Sequence, residues 1–274
     1  MKFKLVESYL IEDELLEDKM VKFGGELSPK YGWCVIYIGG PGSGKGTATN
    51  LSVNIEGHKF DPDDLKKDNI VKLLGIDKQL ETPIENRRLD NPQYVSELHT
   101  LTEPIKNKVM QKHLDMGKNY PKELLPNIIF DIVGSTSKFE EIIPEAKEMG
   151  YKVAIVWTLT SVEKAWLQNL GRKRKVDKSV LLGGHTKVIK AVEELFDSKL
   201  LKDVDDFWVI DNLNSVALTK LPNGETDPKS EYAYRRDTNV YHVKTTPNGF
   251  EEFENIIAIV DDNKEYLRKN YNQN

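Results

Sequence analysis

Trp33-Cys34-Val35-Ile36-Tyr37-Ile38-Gly39-Gly40-Pro41-Gly42-Ser43-Gly44-Lys45-Gly46-Thr47 is the stretch on which the rest of the chain is read. Its first six residues are apolar, too few for a helix, and closed by two glycines, which is the pattern of a strand buried on both faces. A helix is predicted from residue 44 to 52. Between strand and helix the glycines let the backbone bend until its N–H groups converge, and the positive end of the following helix adds to the attraction for an anion. That is a phosphate cradle in its required context. Gly40, Pro41, Gly42, Ser43, Gly44, Lys45, Gly46 and Thr47 are the predicted nucleotide contacts, with Lys45 reaching the β- and γ-phosphates. The strict spacing G-x-x-x-x-G-K-[ST] is missed by one residue, because Gly46 follows Lys45 and the hydroxyl is delayed to Thr47.

Working outward, His58-Lys59-Phe60 reads as a short strand and strand runs recur at 127–131, 152–157 and 207–211, each separated from the next by helical periodicity. Helices are expected over 64–74, 96–116, from the 127–131 strand to Met149, over 161–173 and over 185–201. Strands alternating with helices imply a P-loop NTPase fold of the α/β class, a five-stranded parallel sheet with helices on both faces. The polar stretch 75–93, with Pro83 and Pro92, reads as an insertion or lid. Residues 1–30 carry Leu5, Leu10, Leu15 and Val21 among many acids and read as an amphipathic helix ending at Gly24-Gly25. After the core, Pro222-Asn223-Gly224 suggests a β-hairpin within 215–246, and a final helix is predicted over 249–271. The expected organisation is a helical appendage at 1–30, a core at 31–214 with the insertion at 75–95, and a hairpin and helix extension at 215–274.

In open α/β sheets ligands bind beyond the carboxyl ends of the strands, and three predicted strands deliver acids there. Asp61 and Asp63 follow the first, Asp131 closes the second, and Asp211 follows Ile210. Phosphoryl transfer needs one carboxylate to orient or accept the attacking hydroxyl and another to help place magnesium. Asp63 suits the first role and Asp131 the second. A helix N-cap also suits Asp63 or Asp64, and a purely structural role also suits Asp131 and Asp211. Leu170-Gly171-Arg172-Lys173-Arg174-Lys175 supplies cations for the transferring phosphoryl. Arg172 and Arg174 are preferred because guanidinium binds phosphate oxygens in pairs; a solvated cluster favoured by the helix dipole is the other reading. Arg87-Arg88 and Arg235-Arg236 read as solvated pairs or as readers of an anionic acceptor, and Tyr232, Tyr234 and Tyr241 as hairpin packing or base stacking.

The Gly44-Lys45-Gly46-Thr47 ending resembles adenylate kinases and related nucleotide kinases. Phe60-Asp61-Pro62-Asp63-Asp64-Leu65-Lys66, about sixteen residues beyond Lys45, looks like the segment of zeta-toxin-like P-loop kinases that carries the acceptor-activating aspartate, which falls on Asp63. In that family an acid also ends the following core strand before a hydroxyl-rich turn. Asp131 with Gly134-Ser135-Thr136 is similar, although Asp stands where the family has Glu and the turn is longer. The resemblance spans about 33–212. It implies an ATP-dependent kinase, using ATP or another nucleoside triphosphate with Mg2+, that phosphorylates a hydroxyl of a sugar, a nucleotide or a modified nucleic-acid base. Lys45, Asp63, Arg172 and Arg174 are then catalytic, and Thr47 and Asp131 metal ligands. The alternatives are a nucleoside monophosphate kinase and a nucleotide-dependent switch with slow hydrolysis.

Composition narrows the partners. With 39% hydrophobic and 30% charged residues and a net charge of −5, the chain is expected to be globular, cytoplasmic and without a membrane span. Its charge speaks against a surface that coats nucleic acid, although a nucleic-acid acceptor in a local groove stays open beside a small-molecule or nucleotide-like one. Cys34 is the single cysteine and the five histidines lack metal-ligand spacing, so neither a disulfide framework nor a cysteine-based zinc site is expected.

Overall fold

The computed structural model describes residues 20–23, 26–47, 55–172, 174–246, 249–250 and 264–265. Two short strands, β1 (Met20–Phe23) and β2 (Glu26–Pro29), pair antiparallel across Gly24-Gly25. The helix expected to end there is therefore corrected to a β-ribbon over 20–29, and the rest of that expectation lies outside the described residues. Two glycines end a helix and turn a hairpin equally well, so the dipeptide alone did not separate the two.

The quoted apolar run is β3 (Trp33–Ile38), every residue of it buried. It pairs parallel with β5 (Ile128–Asp131) on one side and β6 (Lys152–Leu159) on the other. Beyond β5 lies β4 (His58–Phe60), and beyond β6 lies β7 (Asp206–Asp211), both parallel. These are the five parallel strands expected. The sheet then continues past them. β8 (Asn239–Thr246) pairs antiparallel with β7 and β9 (Gly249–Phe250) with β8, giving seven strands in the order β4-β5-β3-β6-β7-β8-β9.

The pleat divides β3 between two cores. Cys34, Ile36 and Ile38 join Ile155 and Phe130 in the larger cluster, with Phe139 and Ile142 of α3 (Thr136–Met149) and Val188 and Val192 of α5 (Lys178–Phe196). Trp33, Val35 and Tyr37 face the other way, against Val156, Trp208 and Ile210. Fully burying one such aliphatic side chain contributes about 1.5–3 kcal/mol, so a strand buried on both faces is an energetic centre of the fold. At the amino ends of the strands, Asn127 accepts from Trp33 N and donates to Lys30 O and Glu56 O, tying three segments together.

Several element bounds differ from the sequence expectation for local reasons. α1 is Asp68–Leu73, preceded by a separate 3-10 turn at Pro62–Lys66. α2 (Pro92–Asp115) starts earlier than expected, because Asn91 caps it and Pro92 takes the first helical position, where its missing N–H costs nothing. Between α1 and α2, Val71, Ile76, Leu80, Tyr94 and Leu98 form a small core of their own. Arg87 donates to the carbonyls of Thr82, Asp77 and Leu80, and Arg88 pairs with Asp90, which gives Arg87 a structural role. α4 (Val162–Leu170) is capped by Ser161. α5 begins at Lys178, earlier than the expected start at residue 185, and runs through Gly183-Gly184.

The hairpin expected around Pro222-Asn223-Gly224 is reduced to a single bridge, Lys220 to Thr226. Tyr232 and Tyr234 lie on α6 (Pro228–Arg236), capped by Asp227, and not on a strand. The hairpin of this region is β8–β9. Residues 249–250 are strand where the final helix was expected to begin; 264–265 are helical, and the remainder of that helix lies outside the described residues. No helix among the described residues is long and apolar enough to cross a membrane.

Candidate functional site: a phosphate loop facing two carboxylates

The loop 39–44 leaves the carboxyl end of β3, and residues 45–47 are helical. Gly42 and Gly44 have φ of 76° and 85°, the left-handed region that a side chain disfavours. At Gly42 a Cβ would also stand 2.4 Å from the Ala165 carbonyl oxygen, so α4 packs directly beneath the turn. Three loop carbonyls are held by side chains from three places. Lys45 Nζ donates to Gly39 O at 2.8 Å, His185 of α5 hydrogen-bonds Pro41 O at 3.0 Å, and Asn212, just after β7, donates to Ser43 O at 3.0 Å.

A cavity of about 960 Å³ opens above this loop. Asp131 and Lys59 enter it from the ends of β5 and β4, Asp63 from the 3-10 turn, and Arg172 and Arg174 from the connection between α4 and α5. Lys45 Nζ lies 3.8 Å from Asp131 Oδ1, and Lys59 Nζ lies 2.8 Å from Asp131 Oδ2. Burial lowers the Lys45 pKa, an effect that the carboxylates of Asp131 and Asp63 oppose. Asp61 caps the 3-10 turn by accepting from Asp63 N at 2.9 Å, and burial raises its pKa.

Asp63 is therefore not the cap. Its Oδ2 accepts from Arg174 Nη2, and its Oδ1 from Lys66 Nζ at 3.2 Å. Burial acts to raise the Asp63 pKa, but the hydrogen bond and charge of Arg174, with Lys66, hold it well below the usual carboxylate range. The Arg172 N–H donates to Asn169 O at 3.2 Å, while its guanidinium has neither hydrogen bond nor ion pair among the described residues, and burial together with neighbouring Arg174 presses its pKa down. Unpaired polar atoms line the same space: Ser43 Oγ, Gln168 Nε2 and Arg174 Nε are buried without a protein partner. A buried donor without an acceptor costs free energy, and all three atoms belong to residues that line the cavity.

No family model and no curated protein matches the sequence. Solved structures do. The chain is similar to a chain of the AvrRxo1-ORF1:AvrRxo1-ORF2 complex determined with sulphate ions, with a TM-score of 0.52 and 14% identity over 84% of this chain and 64% of that one. The fold is shared. Weaker likenesses are to that complex with ATP (TM-score 0.47, 11% identity, 84% of this chain and 63% of that one) and to the PezAT chromosomal toxin–antitoxin system of Streptococcus pneumoniae (0.44, 10%, 98% and 97%). This chain thus spans under two thirds of the AvrRxo1 chains it matches.

The residues predicted as nucleotide, catalytic or metal contacts, Gly40 to Thr47, Asp63, Asp131, Arg172 and Arg174, line this one cavity, whereas Asp211, Arg87, Arg88, Arg235 and Arg236 do not. α4 stops at Leu170, so Arg172 and Arg174 lie beyond its last turn and face inward; the solvated-cluster reading does not hold for them. Asp211 accepts from Leu213 N at 2.9 Å and serves the turn after β7. Cys34 is fully buried, which drives its thiol pKa up. Sequence reasoning missed Lys59, Lys66, His185 and Asn212. Gly183-Gly184 before His185 carried a signal, since glycines inside a helical pattern mark a close approach: a Cβ on Gly184 would stand 2.4 Å from Pro41 Cδ.

Proposed function

We propose that this chain is a phosphotransferase that takes the γ-phosphoryl group of ATP, or another nucleoside triphosphate, to a hydroxyl of a small-molecule or nucleotide-like acceptor. The observation that supports it best is the convergence in one cavity of a glycine cradle, the half-buried Lys45, the unpartnered Arg172 guanidinium and a carboxylate from a different strand end. Phosphoryl transfer asks for positioning and electrostatic stabilisation more than covalent chemistry. The cradle and Lys45 bind the phosphates. Arg172, already desolvated, faces charge that develops on the transferring group, where a preorganised donor is worth most.

Asp63 takes the proton of the attacking hydroxyl in this reading. At rest it is ionised but weakly basic, because Arg174 holds it. A triphosphate competes for Arg174 and thereby raises the basicity of Asp63 when the donor is in place. Thr47 and Asp131 would hold magnesium, which supplies charge neutralisation at the phosphates. Among the described residues no cluster of three acidic, histidine or cysteine side chains could hold a metal by itself. Magnesium draws most of its ligands from phosphate and water at such sites, so one or two protein ligands would suffice.

Incubation with γ-labelled ATP and a metabolite extract tests the proposal. Label is expected on an acceptor hydroxyl with the parent chain and not with Asp63→Asn. Label on an acceptor phosphate, surviving in Asp63→Asn, would install the nucleoside monophosphate kinase reading, because a phosphate oxygen is already ionised and needs no base. Release of inorganic phosphate alone would favour the switch.

A further inference from the structure

We infer that His185 and Asn212 are positioning residues that orient the phosphate loop, turning the amides of Gly42 and Gly44 toward the donor's phosphates. The inference rests on the triphosphate reading of the cavity and deepens it.

It follows from the planar trans peptide, in which C=O and N–H of one unit point in opposite directions. There is no cis peptide among the described residues. Pro41 O accepts from His185, so the N–H of the same peptide plane, that of Gly42, points away from α5. Ser43 O accepts from Asn212, so the N–H of Gly44 points away from the β7 end. Neither amide has a backbone partner among the described residues. The Ser43 hydroxyl between them is 1% exposed and likewise unpartnered.

Both donors are built for this contact. A carbonyl can only accept, so His185 must present Nε2–H to Pro41. Burial, with the nearby Lys45 charge, lowers its pKa to about 4, which keeps the ring neutral at physiological pH. By the same logic the Asn212 atom facing Ser43 O is its nitrogen. Asn212 is fully buried, its N–H donates to Leu159 O at 3.0 Å, and its carbonyl is gripped by Lys164, which also donates to Leu213 O at 3.0 Å and Ser215 Oγ at 3.1 Å. The loop is thus clamped from both flanks by groups that cannot touch the acceptor's chemistry.

The test is equilibrium titration of ATP and of inorganic tripolyphosphate against the parent and the variants His185→Phe, His185→Gln and Asn212→Asp, each first melted without ligand. Loop amides meet only phosphate. His185→Phe and Asn212→Asp are therefore expected to lose both ligands by the same factor, about tenfold or more, the scale of one charge-assisted hydrogen bond. His185→Gln, which can place a side-chain N–H near the same point, is expected to recover most of the loss. Should His185→Phe fail to fold, Gly184→Ala replaces it: alanine favours the helix, yet its Cβ would stand 2.4 Å from Pro41 Cδ and push the loop off His185. Folded variants that bind both ligands as the parent does would overturn the inference, as would a loss confined to ATP or one that glutamine does not recover. A parent that binds neither ligand would overturn the triphosphate reading itself.

Discussion

Lys45 and Asp63 are the residues whose chemistry is most exposed to test. Lys45→Ala removes a half-buried cation that touches a loop carbonyl and lies near Asp131, and so takes little packing with it. It is expected to keep the parent melting temperature within a few degrees and to lose transfer by about a hundredfold or more, read by labelled-phosphate assay. Asp63→Asn differs. It breaks the pair with Arg174, whose side chain is 18% exposed against 39% for Asp63. Because the carboxylate is partly solvated, the cost is set at about 1 kcal/mol, the scale of a screened pair. The folded-state pKa of Asp63 is depressed, so the pair's contribution is complete above the ordinary carboxylate range near 4 and drains away as pH falls below it. The difference in melting temperature between parent and Asp63→Asn is therefore expected to shrink from pH 7 to pH 3. A gap that stays constant would mean that Arg174 does not act on Asp63 in solution. Transfer by Asp63→Asn is expected to fall by about two orders of magnitude, the usual scale for a positioned base.

At the scale of elements, the connection from α4 to α5 carries two arginines to which the proposed reaction gives different duties. Arg172→Ala is expected to lower the maximal rate more than it weakens ATP binding, since an unpartnered guanidinium acts on charge that appears during transfer. Arg174→Ala has a second consequence, because its hydrogen bond and charge hold the Asp63 pKa down. Without it that pKa rises, and the acid limb of the kcat/KM profile, which reports the free enzyme, is expected to move to higher pH; an unmoved limb there would detach Asp63 from the chemistry. The sequence assigned both arginines one catalytic role and could not separate these duties. The string Arg172-Lys173-Arg174-Lys175 shows where cations are concentrated, but which of them turn inward depends on α4 ending at Leu170 and on Asp63 standing across the cavity.

For the whole molecule the sheet is the rigid part, and its two ends are separable. Asn127 ties Trp33, Lys30 and Glu56 at the amino ends of the strands, while the glycine-rich loop leaves the carboxyl end of β3. Asn127→Ala leaves buried backbone groups unpaired and is expected to cost about 3 kcal/mol by chemical denaturation. ATP affinity per folded molecule should stay unchanged. A matching loss of affinity would show that the loop is strained through β3 and not locally supported from α5 and the end of β7.

What the sequence determined by itself was whatever depends on neighbours along the chain. Six apolar residues closed by glycines make a strand and a turn, and Lys45 follows at fixed reach; the same logic placed the five parallel strands and the acids at their ends. The ribbon at 20–29, the helix carrying Tyr234 and the antiparallel strands β8 and β9 were not legible. Glycine pairs and short alternating runs suit helix ends, hairpins and edge strands alike, and only packing chooses among them. The partners of the site were beyond the sequence for a stronger reason. Asp63 with Arg174, His185 with Pro41 and Asn212 with Ser43 are separated by 111, 144 and 169 residues. Contacts at such separations come from the closing of the sheet and its helices over one cavity, which only the tertiary structure decides.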